Sequence, residues 1–507
     1  MARKKTSDYS PRRFPSDSTF LKKARERHKA AEDADEKQTA REKEDILFEA
    51  GEQWSASALE GRRGYAASGN MPAIPERPSL VINAIKEPVR QVLNQERQSD
   101  IGIELVPADD FGDLGITPDD TEVTLREGLI RRIQRESIAA DARTWAFKRS
   151  TIAGRGFYQI MTRFLPGKSW DQDVYVRRIF NQSSVKLDPA HEQPDGSDAE
   201  WAFVGSWMAW DRFAAEYPYL ADGTDNPFKG MGKGDFASLS DEYPGWYQSS
   251  DESDERAVRI TEYWYTVYEP KKLALLEDGE AMWAEDVPEG VTPTETRTVL
   301  EKQIKFCKIA GGILELEKTD WAGPDMPIVK VLGDEVLPEV GERRAEGIVR
   351  PARGAQVGKN YMISKFVETI GLTPIASLMV DPEAIEGYES WYAVSNTRAL
   401  PYLPYSSFGD GGKQYAPPTR PNVDPNILPM ANGIAMFDQF IKSTTAVPDS
   451  TLGNVDPALK SGRAIREVVA NAQMSTSNFM DNLARSIRYE GQVINNLLYP
   501  IYGAKPG

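Results

Sequence analysis

Apolar positions recur along this chain with two periods. In LVINAIKEPVRQVLNQERQ, apolar residues fall at Leu80, Ile82, Ile85, Val89, Val92 and Leu93. This spacing predicts an amphipathic helix over most of Leu80–Gln98, with Pro88 marking its start or a kink. A second helical block runs from Glu122 to Gly154, with Leu125, Leu129, Ile130, Ile133, Ile138, Ala142, Trp145 and Ala146 facing inward. The period then shortens. FYQIMTRFL, DVYVRRIF and AEWAFVGSWMAW, beginning at Phe157, Asp173 and Ala199, group β-branched and aromatic residues between turn signals and predict strands. Ala221–Asp254 is rich in Gly, Ser, Asp and Pro and predicts a long surface loop, after which AVRITEYWYTVYEP resumes as a strand from Ala257. A β-rich segment follows to about Gly341, with hairpin turns at Asp278-Gly279 and Gly311-Gly312 and a short helix after Thr292. From Pro457 to Tyr502 helical spacing returns, and Ala470, Ala472, Met474, Phe479, Leu483, Ile487, Val493 and Leu497 are packing positions. The sum is a mixed α and β protein.

Arg344–Gly371 reads RAEGIVRPARGAQVGKNYMISKFVETIG and combines a buried helix's apolar residues, among them Ile348, Val349, Met362 and Phe366, with Arg350, Arg353, Gln356, Lys359 and Lys365. Pro351 can sit in a first turn without losing a needed hydrogen bond, and a helix from there to Ile370 spans ~30 Å. Gly354 and Gly358 lie four apart on one face, where with Ala355 they would admit a neighbouring helix closely. Their cost in helix propensity, ~1 kcal/mol each, asks for such a return.

Length changes the picture, because 507 residues exceed the ~250–300 at which one core stops growing, so two or more structural regions are expected. With 40% hydrophobic residues and eleven Trp the chain has material for packed cores. No run approaches the ~18 apolar residues of a membrane span, and the N-terminus lacks a signal peptide's apolar segment, so a soluble protein made in a cytoplasm is expected. LKKARERHKAAEDADEKQTAREKEDILFEAG carries mixed charge at four-residue spacing and predicts a solvated helix, or an arm that orders against a neighbour.

Charge and chemistry narrow the function. Against 61 Lys and Arg stand 77 Asp and Glu, a net charge of −16, which excludes a surface that grips nucleic acid everywhere. Any contact with DNA is local. The single Cys307 excludes an intramolecular disulfide and reads as a small core residue, and two histidines, His28 and His191, leave little for a metal site or triad. In GDGGKQ a phosphate-cradling loop would need Gly six residues before the Lys and Ser or Thr after it, but Ser407 and Gln414 stand there. No catalytic residue, cofactor or metal is therefore expected. The alternative is an acidic nucleic-acid-processing enzyme with a carboxylate metal site drawn from Asp171, Asp173, Asp188, His191 and Asp195.

Several stretches, in this order and spacing, resemble the portal proteins of podoviruses, the short-tailed DNA bacteriophages. They are RPSLVINAIKEPVRQVLNQERQSDIGIELVPAD, WDQDVYVRRIFNQSSVKLDPAHEQPDGSDAEWAF, VRITEYWY, MPIVKVLGDE with EGIVRPARGAQVGKNYMISKFVE, and DNLARSIRYEGQVINNLLYPIY. The resemblance covers about residues 45–502 and implies a ring, usually a dodecamer, at the capsid vertex of the virion, assembled in the host cytoplasm. Double-stranded DNA would pass through it, non-specifically and transiently, during packaging and ejection. A separate terminase, then a head-to-tail adaptor, would dock to it, capsid and scaffolding proteins would surround it, and no membrane is involved. The implied fold class is α+β: a charged N-terminal arm (1–45), a mixed α/β wing (46–266), a β-containing clip (267–342), a stem helix (343–371), a wing return (372–429) and an all-helical crown (430–507). On this template Arg350, Arg353, Gln356 and Lys359 divide between the DNA channel and intersubunit pairs. LPYLPYSSFGDGGKQYAPPTRPNVDP, from Leu400 to Pro425, resembles the portal tunnel loop, with Lys413 and Arg420 as its DNA-facing cations. Glu342–Leu372 holds six basic and three acidic residues, net +3; sparse cations among acids permit sliding where a continuous basic lining would hold DNA in place.

Overall fold

A computed structural model describes residues 12–13, 18–64, 76–99, 101–106, 120–165, 167, 170–220, 257–276, 281–284, 287, 292–336, 344–372, 378–395, 400–409, 412–419, 427–445 and 477–503. They fall into two compact units, one of residues 1–46, 89–350 and 456–507, the other of 47–88 and 351–455. The loop expected at Ala221–Asp254 and the turn at Asp278-Gly279 lie outside the described residues.

The first unit is built on two antiparallel sheets. The larger runs β1 (Arg12–Arg13), β9 (Leu314–Asp320), β8 (Glu295–Ala310), β6 (Ala257–Leu275), β5 (Trp201–Ala209), β4 (Val185–Leu187), with β7 (Ala281–Trp283) also on β6. The smaller is β10 (Ile328–Leu332), β2 (Arg155–Phe164), β3 (Gln172–Arg178). Phe157, Ile328, Trp264, Ile304 and Phe306 form a core shared by the two. Trp264 anchors it, with its ring 4.4 Å from Phe306 and 5.1 Å from Trp321.

The smaller sheet is also packed by helices. Helices α4 (Asp120–Glu136), α5 (Ala139–Ala153) and α10 (Ser477–Tyr502) bury Ile130, Phe147, Ile487, Val493 and Leu497 with Tyr158, Ile160, Val174 and Val331. The block expected as one helix over Glu122–Gly154 breaks at Ile138, which takes a left-handed conformation at φ 52°. Gly154 ends α5 at φ 98°, and a Cβ there would lie 2.6 Å from the Ala345 backbone, so glycine answers both demands. Glu490 of α10 is fully buried and accepts two bonds of 2.7 Å from Arg143 and one of 3.0 Å from the Tyr158 hydroxyl. The C-terminal helix is thus part of this unit's core, whereas α9 (Ile427–Thr445) belongs to the other unit. The segment expected as one crown is divided between the two.

Two other expectations change. The charged helix α1 (Thr19–Ala50) is not solvated all round: Leu21, Ala24, His28, Ala31, Gln38 and Glu42 are buried. Its carboxylates meet cations distant in sequence, Glu42 with Arg155 at 2.6 Å and Arg149 at 2.8 Å, Asp35 with Arg155 at 2.9 Å. The residues after Thr292 form strand β8 rather than a helix, paired along its length with β6. Within 267–342, Ile304, Phe306, Ile309, Met326, Ile328 and Val331 are core residues, while the paired ribbon Val267–Leu275 and Glu295–Gln303 carries mostly half-buried or exposed side chains.

Candidate functional site

The second unit centres on α7, which runs Val349–Leu372, close to the helix expected from the sequence. Pro351 lies in its first turn. Helix α3 starts only at Lys86 (Lys86–Gln98), so Pro88 occupies a first turn and Leu80–Ile85, expected as helix, is largely extended. What holds that strap is a ladder. The Leu80 N–H donates to Ser364 Oγ at 2.9 Å, the Ile82 N–H to Asn360 Oδ1 at 3.2 Å and the Ala84 N–H to Gln356 Oε1 at 3.1 Å. Four residues of helix rise ~6.0 Å and two of extended chain ~6.6 Å, so Gln356, Asn360 and Ser364 match Ala84, Ile82 and Leu80 in antiparallel register.

Gln356 and Asn360 also meet Gln53 at 3.0 and 2.7 Å, and Gln356 donates to Ile82 O at 2.7 Å. Gln356, expected to face a channel, is instead fully buried with its amide committed inside the subunit. Lys359, expected beside it, is 7% exposed and its ammonium bonds Asp438 of α9. Arg350, the last residue of its stretch of the first unit, binds α1 within that unit, with Asp45 at 3.0 Å, Glu44 at 3.2 Å and the Arg41 carbonyl at 2.6 Å. Arg353 lies half-buried with its guanidinium 5.2 Å from the Phe48 ring centroid. All four side chains therefore meet groups of their own subunit, Arg350 and Lys359 through carboxylates, Gln356 through amides and backbone groups, and Arg353 through an aromatic ring. The two helix glycines also part company: a Cβ on Gly358 would meet Phe437 at 2.4 Å, while one on Gly354 meets nothing within 4 Å. The exposed positions of α7 fall on two sides, Gly354, Tyr361 and Lys365 along one and Val367 and Ile370 along the other.

The Leu400–Pro425 loop forms a tight hairpin where it is described. Phe408 bridges to Gln414, and the Gly409 N–H donates to Lys413 O at 2.9 Å. Lys413 Nζ and the Tyr415 hydroxyl both donate to Glu383 Oε2, each at 2.9 Å. Those bonds, the lysine's first, hold the Glu383 carboxyl below its ordinary range, and the same bond raises Lys413. Arg420 lies outside the described residues. Sequence reading missed Glu383, Asp438 and the ladder residues Asn360 and Ser364; only the four-residue step of Gln356, Asn360 and Ser364 could have signalled the last two.

The alternative carboxylate constellation does not assemble. Asp188 and Asp195 each accept a backbone N–H two residues on, both at 3.0 Å, and buried Asp173 bonds the Tyr502 hydroxyl. His191 contacts the Asp188 carbonyl through Nδ1 at 2.6 Å and Lys330 Nζ through Nε2 at 3.0 Å. An ammonium there repels a cation. Among the described residues no group of three or more His, Cys, Asp or Glu is placed to hold a metal, and no helix is long and apolar enough to cross a membrane.

A structural ring component is the remaining expectation, and comparison with known proteins decides the family. The model of phage P22-like portal proteins matches residues 25–505. The chain belongs to that family. A portal protein of Acyrthosiphon pisum secondary endosymbiont phage 1 is 22% identical over 444 residues, 84% of this chain and 59% of that relative. The chain thus spans 59% of the length of that relative. The portal family is one of structural assembly components, and the mixed helix and sheet architecture agrees with an α+β portal subunit.

Proposed function

We propose that copies of this chain assemble into a portal ring at a capsid vertex and conduct double-stranded DNA during packaging and ejection. The family match across residues 25–505 carries this reading. In it the ring is a dodecamer, terminase and then a head-to-tail adaptor dock to it, and capsid and scaffolding proteins surround it. The ribbon of β6 and β8 outside the core, Val267–Leu275 with Glu295–Gln303, is the proposed clip that meets those partners. Helix α7 is the proposed stem.

The placement of charge supports a conduit with a loose grip. Arg350 and Lys359 meet carboxylates of their own subunit, and Lys365 lies 3.4 Å from Glu368. Each phosphate neutralised steepens the salt dependence of DNA affinity, so a lining whose cations are already matched lets the duplex slide. Native mass spectrometry of the purified chain, with negative-stain class averages, tests the proposal. Rings of about twelve copies around a central hole are expected. A monomer or dimer persisting at high concentration, together with divalent-metal-dependent cutting of DNA, would overturn it.

A further inference from the structure

The surface that carries the Lys413 hairpin is acidic and aromatic. Leu378–Ser395 contains Asp381, Glu383, Glu386 and Glu389 and no Lys or Arg. Against it lie exposed rings: Phe408 is 67% exposed, and Tyr402 stacks on Trp391 at 5.8 Å. A hairpin whose task was to hold phosphates tightly would not be set on such a surface.

The setting of Lys413 is built in detail. Its ammonium donates to Glu383 Oε2 at 2.9 Å and stands 5.2 Å from the Tyr415 ring centroid. Tyr415 is 8% exposed and its hydroxyl fixes the same carboxylate oxygen at 2.9 Å. Gly409 makes the arrangement possible, because a Cβ there would lie 2.0 Å from the Tyr415 hydroxyl. The pair itself faces water, with side chains 61% and 60% exposed, so partners exchange freely.

We propose that Glu383 is an intramolecular stand-in for a DNA phosphate, masking Lys413 so that each copy's hairpin touches the backbone only by exchange. This rests on the portal reading. A phosphate oxygen and the Glu383 carboxylate compete for one ammonium, so the gain from a DNA contact is the difference between two similar charge pairs. A bare lysine would give the whole of it, repeated on every copy around the ring. Tyr415 keeps the carboxylate in place after the lysine leaves, ready to take it back.

The test measures binding of the full-length protein, in its assembled form, to a fluorescein-labelled random-sequence 30-base-pair duplex by anisotropy across a NaCl series. E383Q is expected to bind about two- to fivefold more tightly at low salt, the size of an exposed charge pair. Its salt slope should steepen by up to about 0.9 per lysine engaged. In a K413Q background that gain should vanish, Y415F should give part of it, and E386Q, the same charge change on a residue away from the pair, should give a smaller gain that survives K413Q. An E383Q gain equal to that of E386Q, or one that survives K413Q, overturns the mask. So does weaker binding by K413Q with no response to E383Q, although Lys413 would then be a DNA contact and the portal reading would stand. If rings form and bind DNA but none of these variants changes binding, the hairpin is not at the DNA and the proposal fails alone. If neither rings nor binding are observed, it fails together with the portal reading.

Discussion

Gln356→Leu tests the ladder that ties the strap to α7. Leucine keeps the volume and the helix propensity but removes the amide that serves Ala84, Ile82, Gln53 and Asn360. Two of those partners retain other bonds: Asn360 Nδ2 still reaches Gln53 Oε1 at 2.7 Å, and the Ile82 N–H still reaches Asn360 Oδ1 at 3.2 Å. The Ala84 N–H and the Ile82 carbonyl lose the partner they had. Both groups are only partly buried, so each lost hydrogen bond costs about 1 kcal/mol and strap opening should become easier by about 2 kcal/mol in total. At about 1.4 kcal/mol per tenfold, that is roughly a thirtyfold faster exchange of the Ala84 amide, read by hydrogen–deuterium exchange with fragment-level detection. The Leu80 amide, held by Ser364 eight residues further along α7, should change least. An Ala84 amide exchanging within threefold of its native rate would refute the ladder as the source of the strap's order.

Gly358→Ala should destabilise the second unit by about 1–3 kcal/mol by overpacking against Phe437, whereas Gly354→Ala, with nothing in reach, should raise helix stability by about 0.5–1 kcal/mol; equal shifts in thermal midpoint would contradict the model of α7 packing. His28 is 3% exposed, and burial, with Lys186 and Arg259 nearby, lowers its pKa to about 4. Because the unfolded chain binds that proton near 6.5, stability should fall as pH drops from 6.5 toward 4, by roughly 3 kcal/mol, with protection of α1 as the readout. His28→Gln should flatten that slope, and an unchanged profile would count against a buried neutral imidazole. Lys359→Met should lower the thermal midpoint by the equivalent of about 1 kcal/mol and leave DNA affinity unaltered, since the ammonium serves Asp438. A variant of native stability with weaker DNA binding would place Lys359 at the DNA after all.

Elements whose period is strong and whose partner is a neighbour in sequence were legible. Strands β2, β3, β5 and β6 and the β8–β9 hairpin at Gly311-Gly312 lie where the alternation put them, and Gly311 and Gly312 take φ 55° and 76° as that turn requires. Helix α7 was legible for the same reason, from its apolar repeat and from Pro351. The failures share a cause. Leu80–Ile85 has a helical spacing of apolar residues, but a ladder of side chains from residues almost three hundred positions away gives its N–H groups better partners than a first helical turn. The residues after Thr292 follow β6 because sixteen paired positions in β6 outweigh local propensity.

Charge misleads in a related way. A polar residue in an otherwise apolar helix reads as surface, since desolvating a lone cation costs more than a packing contact returns. That inference holds only while the partner is unknown. Arg350 turns inward to Asp45, Lys359 to Asp438, and Glu42 of the supposedly solvated helix to Arg149 and Arg155. Each pair joins segments far apart in the chain, so no window of sequence contains both halves. The net +3 of Glu342–Leu372 is therefore a property of the segment and not of the surface around it. For a proposed conduit the relevant quantity is how firmly each cation is already held by its own subunit. On that measure the exchangeable pair at Lys413 is better suited to a passing phosphate than the buried one at Lys359, although the sequence put both in the channel.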